Sequence, residues 1–219
     1  MPPVRPFLIG FAVILLILSG CIKKVERQTE MNYGDFFPLN DGDRYFFTGH
    51  FKRVTVTSHE NNLFTLTYFD TAGTIIKWQD FSRIGDIVYQ KSAVANSGNI
   101  PARYFQPPLP FLPWSRIAGD TLLASAIEMR LDSVYSHRPI IVECEIMAVE
   151  DVETPAGVFA DCIKIKRLYR TLINTASANF DQESYWWFAA HVGPVKYVLP
   201  NDSGALIRAV IDDVDYRSQ

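Results

Sequence analysis

Cysteine and histidine side chains have the widest chemical use in this 219-residue chain, as nucleophiles, proton carriers or metal ligands. Its four histidines, His50, His59, His137 and His191, lie far apart along the sequence. No G-x-S-x-G, H-E-x-x-H, phosphate-loop or C-x-x-C motif is present. We therefore predict no metal, no cofactor and no enzymatic activity, and the chemistry left to explain is that of three cysteine thiols.

The first thiol, Cys21, follows an apolar stretch of signal-peptide length. Arg5 places a positive charge before residues 7–18, which are apolar apart from one glycine, and Ser19 and Gly20 come next. The stretch is shorter than the roughly 20 residues that cross a bilayer as a helix. A thiolate is a nucleophile able to take a lipid, and small neighbouring residues fit a narrow peptidase cleft.

The segment Leu18-Ser19-Gly20-Cys21 resembles the bacterial lipobox. This resemblance implies a signal peptide over residues 1–20, a lipid on Cys21 and attachment to a membrane through several acyl chains such as palmitate. A generic signal peptide followed by a chance cysteine is the alternative. By resemblance to Gram-negative sorting, Ile22 after the cysteine favours the outer membrane, with the protein facing the periplasm.

The rest of the chain has the composition of one folded domain. A formal charge of −3 gives no electrostatic footprint for nucleic acid, so we expect no nucleic-acid partner. Residues 21–35 are polar and predict a flexible tether, and residues 36–219 predict a single β-rich domain. Its 15 Phe, 10 Tyr and 4 Trp favour strands.

Short alternating runs separated by turn residues predict the architecture. They favour an antiparallel meander, a single strongly curved sheet in the form of a half-barrel or open barrel, with little helix. The clearest hairpin joins residues 140–152 to 158–171 through the turn 153–157. Residues 121–129 fit either a short helix or a strand, and their neighbours favour the strand.

The proline-rich run at residues 107–114 interrupts this pattern. Proline cannot donate to a sheet ladder, so we predict a rigid extended crossing rather than a strand. Its apolar residues either cover one end of the core or form a lip that faces a partner or ligand.

The two remaining thiols, Cys144 and Cys162, form an even pair in a compartment that permits disulfides. Strand alternation places them on opposite faces of the sheet and argues against a bond. A β-bulge would reverse this arrangement, so the pairing stays open.

Aromatic residues beyond the needs of a core indicate a binding surface. We expect Phe111, Trp114, Tyr185 and Trp187 to contact a hydrophobic ligand or an envelope protein. A structural subunit that pairs through sheet edges is the alternative. An enzyme with a composite site is a third possibility.

Three different turn motifs follow one another along the chain. They are Phe37-Pro38-Leu39 with Gly42, Thr154-Pro155-Ala156-Gly157-Val158-Phe159 with Cys162 and Lys164, and Ala189 to Lys196. They resemble motifs of a group of bacterial secreted proteins and lipoproteins of uncharacterised function. This resemblance implies a shared fold and supplies no catalytic residues. More loosely, a lipid-anchored curved sheet is similar to the lipoprotein carriers of outer-membrane sorting, whose concave face holds acyl chains.

Overall fold

The computed structural model describes residues 36–85, 87–95, 102–112, 117–131, 136–172 and 182–217. The predicted signal peptide, Cys21, the tether and Trp114 lie outside these residues. Within them every regular element longer than a turn is a strand, in the order β1 (Arg44–Phe47), β2 (Arg53–His59), β3 (Leu63–Phe69), β4 (Ile75–Ile84), β5 (Ile87–Ala95), β6 (Ala102–Pro110), β7 (Thr121–Leu131), β8 (Ser136–Thr154), β9 (Gly157–Thr171), β10 (Gln182–Ala189), β11 (Gly193–Leu199), β12 (Asp202–Ile211) and β13 (Val214–Tyr216).

The strands form one antiparallel meander that closes on itself. Each strand pairs with the next along the chain, and β1 also pairs with β12, with Tyr45 opposite Ala209. The result is a barrel of 12 strands, with β13 added alongside the end of β12. The predicted fold class is confirmed, and the sheet goes beyond an open half-barrel to full closure.

The barrel has two different ends. Strand directions place the start of β1 at one end, together with the segment Phe36–Leu39 that enters the barrel there. The ring of Phe37 lies 5.5 Å from Phe81, 5.0 Å from Phe111 and 6.0 Å from Phe188, measured between centroids. We call this the plug end. The opposite end carries the β11–β12 turn, and we call it the cavity end.

Turn motifs noted in the sequence meet at the plug end. Gly193 has φ of +95°, a backbone conformation that favours glycine. A Cβ on Gly193 would lie 2.9 Å from the hydroxyl of Tyr45 and 3.3 Å from Pro38. The Tyr45 hydroxyl in turn donates to the Pro38 carbonyl at 3.3 Å. These residues therefore fix how the entering segment meets β1 and β11.

The predicted hairpin is confirmed as β8 and β9, whose tip is the turn between Thr154 and Gly157. The tip extends past β7 and β10 and packs against β11 and β12. There the amide of Ala156 donates to the carbonyl of Leu206 at 3.0 Å. Residues 121–129 are a strand, as their neighbours indicated.

The proline-rich run differs from its prediction. Pro107, Pro108 and Pro110 lie within β6, which the sequence analysis excluded. The β6–β7 ladder ends at Gln106, and beyond it the run pairs with β5 alone, with Leu109 opposite Gln90. Proline's missing donor is therefore tolerated, because one edge of the strand has no partner at that point. Its predicted core-covering role is confirmed for the described residues, since the run buries Leu109, Phe111 and Leu112.

Both remaining cysteines are buried and unbonded. Cys144 lies opposite Arg167, whereas Cys162 lies opposite Glu150 further along the same hairpin. The two thiols are thus separated along the strands and are not bonded to each other.

Candidate functional site

A cavity of about 210 Å³ lies inside the barrel at the cavity end. Three cationic side chains line it, and each comes from a different strand: Lys77 near the start of β4, Arg103 near the start of β6 and Arg167 near the end of β9. Antiparallel order brings these strand positions to the same end of the barrel. Alternation along each strand then points the three side chains inward.

Aromatic and amide side chains complete the wall. Phe105, Phe111 and Trp186 form its apolar part, and Gln79 and Gln90 contribute amides. The Gln79 Oε1 already accepts the Tyr68 hydroxyl at 2.6 Å. The site therefore combines charge with apolar surface, which is the composition of a pocket that orients a small ligand.

Arg167 is held from two sides. Its Nη2 donates to Gln90 Oε1 at 3.0 Å, and its guanidinium carbon lies 5.1 Å from the ring centroid of Phe111. Its Nε is buried without a hydrogen-bond partner, as is the Nε of Arg103. Because buried donors are nearly always paired, the two arginines retain unused capacity to bind an acceptor.

A buried carboxylate lies beside the cavity on β7. Glu128 is 0% exposed, and it binds Arg130 Nε at 2.5 Å and approaches Arg103 Nη1 at 3.9 Å. It also accepts a hydrogen bond from the Tyr169 hydroxyl. One carboxylate thus faces two guanidinium groups here, and the cluster keeps an excess of positive charge.

Burial, together with the positive charges of Arg103 and Arg167, lowers the pKa of Lys77 to about 7. The Lys77 ammonium lies 4.8 Å from the ring centroid of Tyr68. Burial raises the pKa of Tyr68, so this phenol stays neutral and does not offset the charge. Among the described residues, no carboxylate forms an ion pair with Lys77.

The substitution Lys77→Met tests this environment through stability. An unfolded lysine keeps a pKa of 10.5, so between pH 7 and 10.5 the unfolded chain holds a proton that the folded chain lacks. Stability from this group is therefore lowest below pH 7 and rises with pH, by at most about 1.4 kcal/mol per pH unit. We expect the free energy of unfolding of wild type, measured by urea unfolding, to rise relative to that of Lys77→Met between about pH 6 and 9. A pH-independent difference would contradict the assignment, and Lys91→Met, on β5 outside the cavity lining, is the control.

The structure separates the aromatic residues that the sequence singled out. Phe111 lines the interior cavity, whereas Tyr185 and Trp187 lie on the outer face of β10. Trp187 is 7% exposed, with the ammonium groups of Lys164 and Lys196 at 5.0 and 4.8 Å from its ring. These residues do not form one contact surface. Their roles in binding stay predictions.

Trp187 and Tyr185 are each engaged by neighbouring carboxylates. The Trp187 Nε1 donates to Glu150 Oε1 at 2.6 Å, and the Tyr185 hydroxyl donates to Glu183 Oε1 at 2.5 Å. The Trp187–Glu150 contact joins the outer faces of β10 and β8, whereas Tyr185 and Glu183 both lie on β10. The local geometry gives Trp187 a role in packing.

Sequence reasoning missed the cavity cations, although a signal was present. Ile163 and Ile165 are followed at the same spacing by Arg167 and Tyr169, so the inward face of β9 turns from apolar to polar toward the cavity end. On β4, Phe81 is preceded at the same spacing by Gln79 and Lys77. A change of polarity along one strand face, on two strands, indicates a polar pocket.

Two features are absent from the part of the chain that the structure describes. There, no group of three or more His, Cys, Asp or Glu side chains is placed to hold a metal ion. The same residues include no helix with the length and apolar character needed to cross a membrane.

Comparisons with known proteins give two likenesses in shape. No protein-family model matches the chain, and no curated protein matches it. A solved structure from Parabacteroides distasonis, described as "a putative lipoprotein", is 16% identical, covers 78% of this chain and 97% of its own, and has a TM-score of 0.47. Another from Bacteroides fragilis, described as "a putative exported protein with YmcC-like fold", is 14% identical, covers 80% and 98%, and has a TM-score of 0.37.

Both TM-scores are below 0.5, so neither structure assigns a family or a function to this chain. The membership implied by the turn motifs therefore stays a prediction.

Proposed function

We propose that the protein is a lipoprotein of the bacterial cell envelope that binds a small amphiphilic ligand inside its barrel without transforming it. The lipid would be carried by Cys21, and Ile22 favours the outer membrane, facing the periplasm. The cavity at the cavity end is the single observation that carries the binding function.

The interior sets the size of the ligand. Toward the plug end the aromatic core leaves a space of only about 20 Å³, which is room for about one water molecule. The cavity of about 210 Å³ exceeds the roughly 150 Å³ that accommodates benzene. A ligand of about ten non-hydrogen atoms therefore suits the site, whereas long acyl chains, as held by the sorting-pathway carriers, find no space within the described barrel.

Closure of the barrel weakens the alternative of an assembly subunit that pairs through sheet edges. Pairing of β1 with β12 removes the two edges that an open meander would offer. Within the described residues, β13 at Val214–Tyr216 contributes a short edge of three residues. The geometry therefore favours a ligand inside over a strand added outside.

Binding of eight-carbon probes tests the proposal. All barrel strands and the buried core lie between Phe36 and Tyr216, so the chain from residue 22 onward contains what folds as the barrel. We expect calorimetric titration of this chain to show binding of octanoate or 1-octanol. Ala93 lines the cavity, and Ala93→Leu should abolish binding by filling it. Ala160→Leu, at an exposed position of β9, should bind like wild type, and failure of both probes to bind wild type would refute the proposal.

Lipidation at Cys21 makes a separate prediction. We expect Cys21→Ser to lose incorporation of radiolabelled palmitate and to lose membrane fractionation in a Gram-negative host, because no other residue can take the diacylglyceryl group at that position. Metabolic labelling followed by membrane fractionation measures both. If Cys21→Ser is still cut and still fractionates with envelope membranes like wild type, the lipid anchor is wrong.

A further inference from the structure

The cavity concentrates positive charge in a protein that is negative overall. The chain has a formal charge of −3, yet Lys77, Arg103 and Arg167 converge on one cavity. None of the ion pairs among the described residues involves Lys77 or Arg167. Glu183 at the rim is already bound to Lys166 at 2.8 Å. Among the described residues Glu128 offsets only part of this charge, and the excess is unfavourable unless a ligand supplies the opposite charge.

Two donors of this cluster lack an acceptor within the described residues. The Nε groups of Arg103 and Arg167 are buried and unpaired. A guanidinium presents its donors in a planar fork that matches the two oxygens of a carboxylate or phosphate. An oxyanion in the cavity would satisfy these two donors.

An apolar wall faces the same space. Phe105 and Phe111 are buried there at 6% and 8% exposure, and Trp186 lies beside them, 6.3 Å from Phe188 between ring centroids. This wall offers contact to the hydrocarbon part of a ligand and nothing to a bare inorganic ion. The occupant must then be charged at one end and apolar at the other.

We infer that the ligand of this cavity is an anionic amphiphile whose carboxylate or phosphate group binds among Lys77, Arg103 and Arg167 while its short apolar part packs on Phe105, Phe111 and Trp186. This inference rests on the proposed function and names the ligand class of the same site. The acid group can come from a lipid fragment or from a small metabolite, and the chemistry of recognition is shared.

Matched probes separate charge from apolar contact. Octanoate and 1-octanol have the same chain length and differ in the acid group, and inorganic phosphate is an oxyanion without a chain. We expect the chain from residue 22 onward to bind octanoate at least about tenfold more tightly than 1-octanol, and inorganic phosphate more weakly than octanoate, at about pH 6 where Lys77 is charged. Isothermal titration calorimetry measures all three.

Variants locate the effect. Lys77→Met should weaken octanoate binding about tenfold and leave 1-octanol binding unchanged, because it removes one charge and keeps the apolar stem. Lys77→Arg should retain octanoate binding, since it preserves the cation. Lys91→Met, outside the cavity lining, is the matched control and should bind both probes like wild type.

The outcomes are distinguishable from failure of the proposed function. If wild type binds octanoate and 1-octanol equally, or Lys77→Met leaves their ratio unchanged, the pocket exists but the anionic inference is overturned. Phosphate binding as tight as octanoate would also overturn it, because the apolar wall would then contribute nothing. Absence of binding by both eight-carbon probes would instead remove the proposed function itself.

Discussion

Replacing Glu128 by alanine is expected to destabilise the fold by about 3–5 kcal/mol. Glu128 is fully buried and binds both Arg130 and Arg103, whose side chains are 24% and 28% exposed, so its loss leaves two mostly buried arginines without their carboxylate. It also removes the acceptor of the Tyr169 hydroxyl. Breaking a buried pair by deleting one partner costs far more than removing both, because an uncompensated charge remains.

The midpoint of urea unfolding measures this loss. Glu128→Gln should fall between wild type and Glu128→Ala, since its amide oxygen still accepts from Tyr169. Glu143→Ala is the matched control on β8, because Glu143 meets Arg170 at 3.8 Å in a solvent-facing pair. Such exposed pairs contribute about 0–1 kcal/mol. A Glu128→Ala variant as stable as Glu143→Ala would show that the interior cluster is solvated, contrary to the structure.

The second large effect is expected for Gly204→Val, which should cost about 3 kcal/mol through overpacking. Gly204 lies opposite Tyr197 in the β11–β12 ladder, and the Tyr197 ring covers it. A Cβ at Gly204 would lie 2.5 Å from Tyr197 Cε1, which no packing allows. The ring cannot move aside freely, because Tyr197 is 1% exposed and its hydroxyl donates to Asp202 at 2.8 Å.

A double-mutant cycle identifies the cause. If the Tyr197 ring is the obstacle, Gly204→Val should cost much less in a Tyr197→Ala background than in wild type. Chemical unfolding of the four chains supplies the coupling energy. If the two costs add, the valine at position 204 must clash with something other than the Tyr197 ring.

Alternation predicted the strands and their inward faces, and turn residues predicted where they end. The Pro155–Gly157 turn and the strand over residues 121–129 are examples in which local chemistry decides local structure. Closure of the barrel by pairing of β1 with β12 could not be predicted in this way. Tyr45 pairs with Ala209, which lies far away along the chain, and the sequence around either residue does not indicate this pairing. The proline run was misjudged for a related reason: whether a missing donor matters depends on whether a neighbouring strand is there to accept from it.

The binding site was only partly within reach of the sequence. Excess aromatic residues drew attention both to Phe111, which lines the cavity, and to Trp187, which lies on the outer face. Whether either residue contacts a ligand stays a prediction. Lys77, Arg103 and Arg167 look like ordinary solvent-facing residues until the strands are placed in register. Only then do three separate strands bring them to one space.

Entry of the chain at the plug end places the point of attachment opposite the mouth of the pocket. Phe36 lies at the end of the barrel opposite the β11–β12 turn that flanks the cavity. If lipid on Cys21 holds the protein, residues 21–35 connect the barrel to the membrane, and their fully extended length is about 50 Å. The mouth would then point outward into the surrounding aqueous space by default. To take a ligand from the membrane, the barrel would have to rotate by about 180° on its tether. To bind a ligand from the aqueous space, it would not have to reorient.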